Sequence, residues 1–197
     1  MKKLLGILVL GLLWCNTSFA DEISEFEIEG ITLGESLLDH MSEEEIINGI
    51  EDSKDLYFYT TDEFAQIFKH YGFSNYFMMS FYVKPTDKNF IIYGMTGTLP
   101  HAEDINSCYR KMREVSKEFS ATYKNAKKEE LSYDHPVDTT GRSKIKEVDF
   151  IFRSGDMIRV VCMDFEESLR IENNWIDGYD ITVQKKEVIN WLEKRIN

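Results

Sequence analysis

The sequence predicts an α+β fold: a single, mostly antiparallel sheet with a long amphipathic helix near 102–123 packed on it and a helix at the C-terminus. Three observations lead there. Two β-favouring segments, 76–83 and 90–99, are joined by the turn-rich stretch Lys84-Pro-Thr-Asp-Lys-Asn89, and a second pair, 146–153 and 157–165, is joined by Ser154-Gly155-Asp156, so strands follow one another as hairpins. Ile105, Cys108, Tyr109, Met112, Val115, Phe119 and Tyr123 recur at spacings of three and four, which places them on one helix face. The regular strand–helix–strand alternation of a doubly wound parallel sheet is missing.

Taken in order, Glu25-Phe-Glu-Ile-Glu29 alternates strictly and predicts a short half-exposed strand ending at Gly30. Leu33, Leu37 and Leu38 suggest a helical turn after Gly34. Ser42 with Glu45 is a capping box, and Ile46, Ile47 and Ile50 give the helix behind it an apolar face. Leu56-Tyr-Phe-Tyr-Thr60 favours a strand. Thr61 or Asp62 is placed to cap a helix bearing Phe64, Ile67, Phe68 and Tyr71, with Gly72 as its terminator. The 76–83 and 90–99 strands are largely apolar on both faces and therefore read as central, and Gly94 and Gly97 mark a bulge or a close helix approach.

Pro100, Glu103 and Asp104 suit the entry of the long helix, where acidic groups meet the positive dipole end. Residues 125–146 are highly charged and predict an exposed loop. Val148, Phe150 and Phe152 share one face of the next strand, and Ile158, Val160 and Cys162 one face of its partner. Tyr179–Val183 reads as a last strand, and Val188, Ile189, Leu192 and Ile196 as the stripe of the closing helix.

The N-terminus carries an address. Lys2 and Lys3 precede an apolar run of eleven residues, Leu4–Trp14, and Ser18-Phe19-Ala20 places small residues three and one before a cut between Ala20 and Asp21. A span of the membrane needs about 20 apolar residues, so the run predicts a cleaved secretory signal peptide over 1–20 rather than an anchor. Trp14 is too large for the position before a lipidated cysteine, so Cys15 is expected to leave with the leader. The domain organisation is then 1–20 signal peptide and 21–197 one α+β domain, with no transmembrane segment after cleavage and a periplasmic or secreted destination.

Phe26-Glu-Ile-Glu-Gly-Ile-Thr-Leu-Gly-Glu-Ser-Leu-Leu-Asp39, Ser42-Glu-Glu-Glu-Ile46, and the pattern of an Arg-Val-Val-Cys-Met-Asp strand, a Trp-containing turn and a closing helix with Trp191 resemble an uncharacterised set of small secreted proteins of marine alphaproteobacteria. The resemblance implies a Gram-negative periplasmic setting and carries no catalytic residue with it. Ile31-Thr-Leu-Gly34 before a short helix also resembles small outer-membrane assembly modules over those few residues.

Composition excludes several function classes. With 23 basic and 35 acidic side chains the net charge is −12, the wrong sign for sequence-independent nucleic-acid binding. Hydrophobic residues at 43% and aromatics at 13% supply enough apolar surface to exclude a disordered chain. There is no His-Glu-x-x-His, Cys-x-x-Cys or EF-hand spacing, no Gly-x-Ser-x-Gly, no Walker A and no Gly-x-Gly-x-x-Gly, so neither a metal, a cofactor nor a catalytic residue is assigned. His40, His70, His101 and His135 are scattered and read as solvated surface residues. Adjacent acids such as Glu43-Glu44-Glu45 are expected by chance in so acidic a chain.

Two features remain. The stretch 57–82 is crowded with aromatics, among them Phe64, Phe68, Tyr71, Phe77, Phe81 and Tyr82, which form either a core or a ligand groove; core is the favoured reading. Two cysteines survive cleavage, each on a predicted apolar face, and an oxidising compartment favours a Cys108–Cys162 disulfide between the long helix and the hairpin. The function that follows is a non-catalytic binding or interaction domain for a protein or small-molecule partner. The alternatives are a small hydrolase of unrecognised type and an envelope-assembly accessory. Intact-mass measurement of the exported protein is expected to show Asp21 as its first residue. Retention of residues 2–20, or a lipid on Cys15, overturns that expectation.

Overall fold

The computed structural model describes residues 23–56, 63–100, 104–136, 138–173 and 175–196. The leader, its Ala20–Asp21 junction, His101 and the strand expected at 57–60 lie outside the described residues. The chain begins with a 3-10 turn, Ile23–Glu25, and a small hairpin of β1 (Glu27–Ile28) and β2 (Ile31–Thr32). Glu29 (φ 56°) and Gly30 (φ 78°) both sit in the left-handed region, the conformation that a two-residue hairpin turn requires.

A second 3-10 turn, Leu37–Asp39, leads to α1 (Glu43–Leu56). The capping box forms as the sequence predicts: the Ser42 hydroxyl accepts from the Glu45 amide at 3.3 Å, and the Glu45 carboxylate accepts from the Ser42 amide at 2.8 Å. Then come β3 (Ala65–Lys69), β4 (Met78–Val83), β5 (Gly94–Pro100), α2 (Ile105–Thr122), β6 (Lys127–Asp134), β7 (Lys144–Ile151), β8 (Met157–Asp164), α3 (Glu167–Asn173), β9 (Gly178–Gln184) and α4 (Lys186–Ile196).

The fold is α+β, with a seven-stranded sheet in the order β3-β4-β5-β9-β8-β7-β6. Every neighbouring pair is antiparallel. Two three-stranded meanders, each preceded by a helix, are thus joined edge to edge by β9.

Two expectations are corrected. The helix read over 61–71 is the strand β3: Ile67 and Phe68 point to opposite faces of the sheet, and β4 supplies a partner for each of its five residues. A spacing of three and four fits a short apolar segment in either conformation, and here pairing decides it. Half of the loop read over 125–146 is strand, with β6 paired to β7 at all eight of its positions. Its charge is that of an edge strand, where lysines and acids discourage further pairing. The turn that follows is organised by Asp138, which is buried and accepts hydrogen bonds from Thr140, Arg142 and Ser143. Those bonds, the Thr140 hydroxyl first, hold its carboxyl far below the usual range.

The sheet has two unlike faces. One is apolar: Ile67, Phe81, Met95, Ile181, Val160, Val148 and their row neighbours lie under α2, the inner side of α1 and the N-terminal segment with Phe26, Ile28, Leu33 and Leu37. Gly97 belongs here, and a Cβ on it would stand 2.6 Å from the ring of Tyr76, a side chain from the segment before β4 rather than the bulge or helix expected at this position.

The other face carries Gln66, Ser80, Thr96, Thr98, Asp180, Thr182, Arg159, Asp149 and Glu147. The expectation that β5 is apolar on both sides therefore fails, because Thr96 and Thr98 occupy its second face. Helix α4 covers one end of this face, where Trp191 packs edge-on against Phe64 and Tyr82.

Cys108 on α2 and Cys162 on β8 stand at disulfide distance, with Sγ atoms 2.04 Å and Cα atoms 6.0 Å apart. The pair ties the helix to the middle of the apolar face and closes a loop with a sequence separation of 54, for which chain entropy gives roughly 4 kcal/mol. Reduction, or the double change Cys108→Ala/Cys162→Ala, is expected to lower stability by about 2–4 kcal/mol, read as a Tm drop of about 5–12 °C in thermal unfolding. A Tm indifferent to reductant overturns this.

Candidate functional site

At the end of the polar face away from α4 lies a cavity of about 700 Å³, within the range of small-molecule sites. Its floor is a row across the sheet. Asp180 on β9 pairs with Thr98 on β5, Thr98 with Met78 on β4, and Met78 stands in register with His70 just past β3. Phe68, Met163, Phe165, Trp175 and Ile176, with Gly49 and Asp52 of α1, complete the lining. Phe77 stands at the mouth, 51% exposed.

The wall around α3 is held by specific contacts. Phe165 and Trp175 meet with ring centroids 4.9 Å apart, and His135 leans on both, at 5.0 and 5.5 Å. Asp177 accepts the Phe165 amide at 2.7 Å, and the Glu166 amide donates to Ser143 at 2.9 Å. Burial pushes the His135 imidazole down, toward its neutral form. The segment Phe165–Asp177 is thus tied to the Asp138 turn on one side and to the start of β9 on the other.

Asp180 is the chemically unusual group in the cavity. Its Oδ1 is sealed from solvent and has no hydrogen-bond partner. Thr98 bonds to the carboxyl, but burial dominates and pushes it up to about 6. A sealed carboxylate oxygen costs free energy unless a donor or cation meets it.

A second acidic cluster lies further along the same face and is fully matched. Arg159 bonds Asp149 through two nitrogens, both at 2.7 Å, and stands 3.4 Å from Glu147, whose carboxylate also accepts from the Tyr133 hydroxyl at 2.9 Å. Asp149 and Glu147 are buried, and the guanidinium offsets their charge there.

The histidines do not behave as one class. His70 is exposed at the cavity, His40 is 3.1 Å from Glu35, and His135 is half-buried against aromatic rings, so the solvated reading holds for His70 alone of the three described. His70 and Asp180 are separated by three strand intervals, roughly 14 Å. That distance does not form an acid–base couple. Among the described residues, no three His, Cys, Asp or Glu side chains converge to hold a metal ion.

The aromatic stretch 57–82 divides: Phe64, Phe81 and Tyr82 are core, while Phe68 and Phe77 line the cavity. Sequence reasoning missed Asp180, Met163, Phe165 and Trp175. A signal for Asp180 exists, since Tyr179-Asp-Ile-Thr-Val183 alternates apolar with polar residues and so places Asp180 and Thr182 on a face opposite the core. The sequence matches no family model, no curated protein and no solved structure.

The raised Asp180 carboxyl makes stability fall with pH. Its folded value of about 6 lies above the 3.8 of an ordinary aspartate, so between the two the folded chain keeps a proton that the unfolded chain has released. This contribution is fully present below the lower value and is lost as pH rises through the upper one. Asp180→Asn, which cannot ionise, is therefore expected to raise Tm by several degrees near pH 7.5 and to change it little near pH 4, measured by calorimetry. An unchanged Tm near pH 7.5 overturns the assignment.

Proposed function

We propose that this protein is an exported, non-catalytic binding protein that takes a small molecule with a largely apolar body into the cavity on its open sheet face. The carrying observation is the lining itself: Phe68, Phe77, Phe165, Trp175, Met78 and Met163 converge on about 700 Å³ of space, with Asp52, His70 and Asp180 as the titratable groups among the lining residues. Sites for small ligands have this composition, a mainly apolar wall with a few convergent polar groups. Methionine and aromatic side chains also adapt to ligands of varied shape.

A hydrolase is the weaker reading, because it requires an acid–base pair within hydrogen-bond reach and His70 stands across the floor from Asp180. Export rests on the leader, Lys2 to Ala20, and the Cys108–Cys162 pair is the chemistry expected of an oxidising compartment. In that setting the protein captures or carries its ligand outside the cytoplasm.

The neutral fluorescent probe N-phenyl-1-naphthylamine is expected to bind the purified protein with a blue shift and increased emission. Trp175→Ala and Phe77→Ala each weaken that binding by about tenfold, the loss of roughly one well-packed aromatic contact. Leu131→Ala, on the exposed edge strand β6, leaves it unchanged. Absence of probe binding, or equal loss in the β6 variant, refutes the cavity as the binding site.

A further inference from the structure

Resting on the reading of the cavity as a small-molecule site, we propose that its ligand is an organic cation, an ammonium group on an apolar or aromatic body, with Asp180 as the counter-ion. Charge complementarity points this way. The lining holds two carboxylates, Asp180 on the floor and Asp52 on the α1 wall, and neither lysine nor arginine is among the described lining residues. An anionic ligand meets repulsion from both and finds no fixed cation to offset it.

The aromatic rings make the same selection through a different force. Phe68, Phe77, Phe165 and Trp175 are among the residues that line the cavity with Asp180. The negative π faces of such rings attract cations, most strongly when the cation is desolvated, and a cage of this kind suits an alkylated ammonium whose methyl groups also bury apolar surface. A neutral ligand of the same shape gains the burial but not this attraction.

The buried oxygen supplies the third argument. Asp180 Oδ1 lacks a partner while Arg159, on β8 of the same face, is committed to Asp149 and Glu147. The protein's own nearby guanidinium therefore does not neutralise Asp180. A cation entering the cavity supplies what the fold does not, and the net charge of −12 attracts such a ligand from a distance.

The test is a displacement series against bound N-phenyl-1-naphthylamine, using four compounds that share one body: 4-phenylbutyltrimethylammonium, 4-phenylbutylammonium, 4-phenylbutanol and 4-phenylbutanoate. Either ammonium is expected to displace the probe about tenfold more tightly than the alcohol, and the carboxylate more weakly than the alcohol. Asp180→Asn is expected to bring the ammonium compounds and the alcohol to within about twofold of one another in displacing the probe. Asp52→Asn, on the wall, reduces the preference less.

Equal displacement by alcohol and ammonium, or a preference that survives Asp180→Asn, overturns the cation assignment while the cavity remains a site for apolar molecules. Displacement by none of the four also overturns it. Failure of the neutral probe to bind the unmodified protein overturns the underlying site itself and is recognisable as a separate result.

Discussion

The structure depends on a single asymmetry: one face of the seven-stranded sheet has extended apolar cover, and the other is covered only at its ends. Helix α2, the inner side of α1 and the N-terminal segment all pack on the face that carries Ile67, Phe81, Met95, Ile181 and Val160. The disulfide-paired cysteines hold that arrangement at its centre, joining α2 to β8. What is left for the other face is the short helix α4 at one end and the aromatic wall beside α3 at the other. The space between them is the cavity, so the site is a direct consequence of where the helices are not.

The open face is made tolerable by paired polar groups. Gln66 donates to Ser80 at 2.9 Å, and the hydroxyls of Thr96 and Thr182 lie 2.9 Å apart. Arg159 collects Asp149 and Glu147 further along. Burying charges in this way is costly unless the hydrogen bonding is complete, and in that group each acid has its partner. Asp180 departs from the pattern. Among the described residues of this face, Asp180 is the carboxylate that has a sealed oxygen without a hydrogen-bond partner, and it lines the cavity.

Much of the fold was legible in the sequence because periodicity and local chemistry act on neighbours along the chain. The stripe of α2, the capping box of α1 and the 144–164 hairpin all follow from local signals. Pairing between distant segments is not local. Ala65–Lys69 fits a helix until β4 lies beside it, and Lys127–Asp134 looks like a solvated loop until β7 offers eight partners. The alternation of Leu131 with Tyr133 was a strand signal hidden by the charge around it. The cavity was the least legible part, since α1, β3, β4, β5, β8, β9 and the segment after α3 each contribute to it. The aromatic stretch 57–82 supplied Phe68 and Phe77, but their separation from Phe81 and Tyr82 depends on which sheet face each one meets.

The position of β9 has a consequence for how this chain is assembled. Residues 178–184 are the last of the strands in sequence, yet they lie between β5 and β8 and hydrogen-bond to both. Until they are in place, the two meanders each present a bare inner edge, and nothing in the sheet connects one to the other. During synthesis the second ribbon is complete only once Asp164 has been made, and the molecule becomes a single cooperative body only when β9 is inserted like a keystone. Contacts of such long sequence separation slow folding and delay commitment to the native state. The same segment carries Asp180, so the cavity floor and the continuity of the sheet come into being in one event.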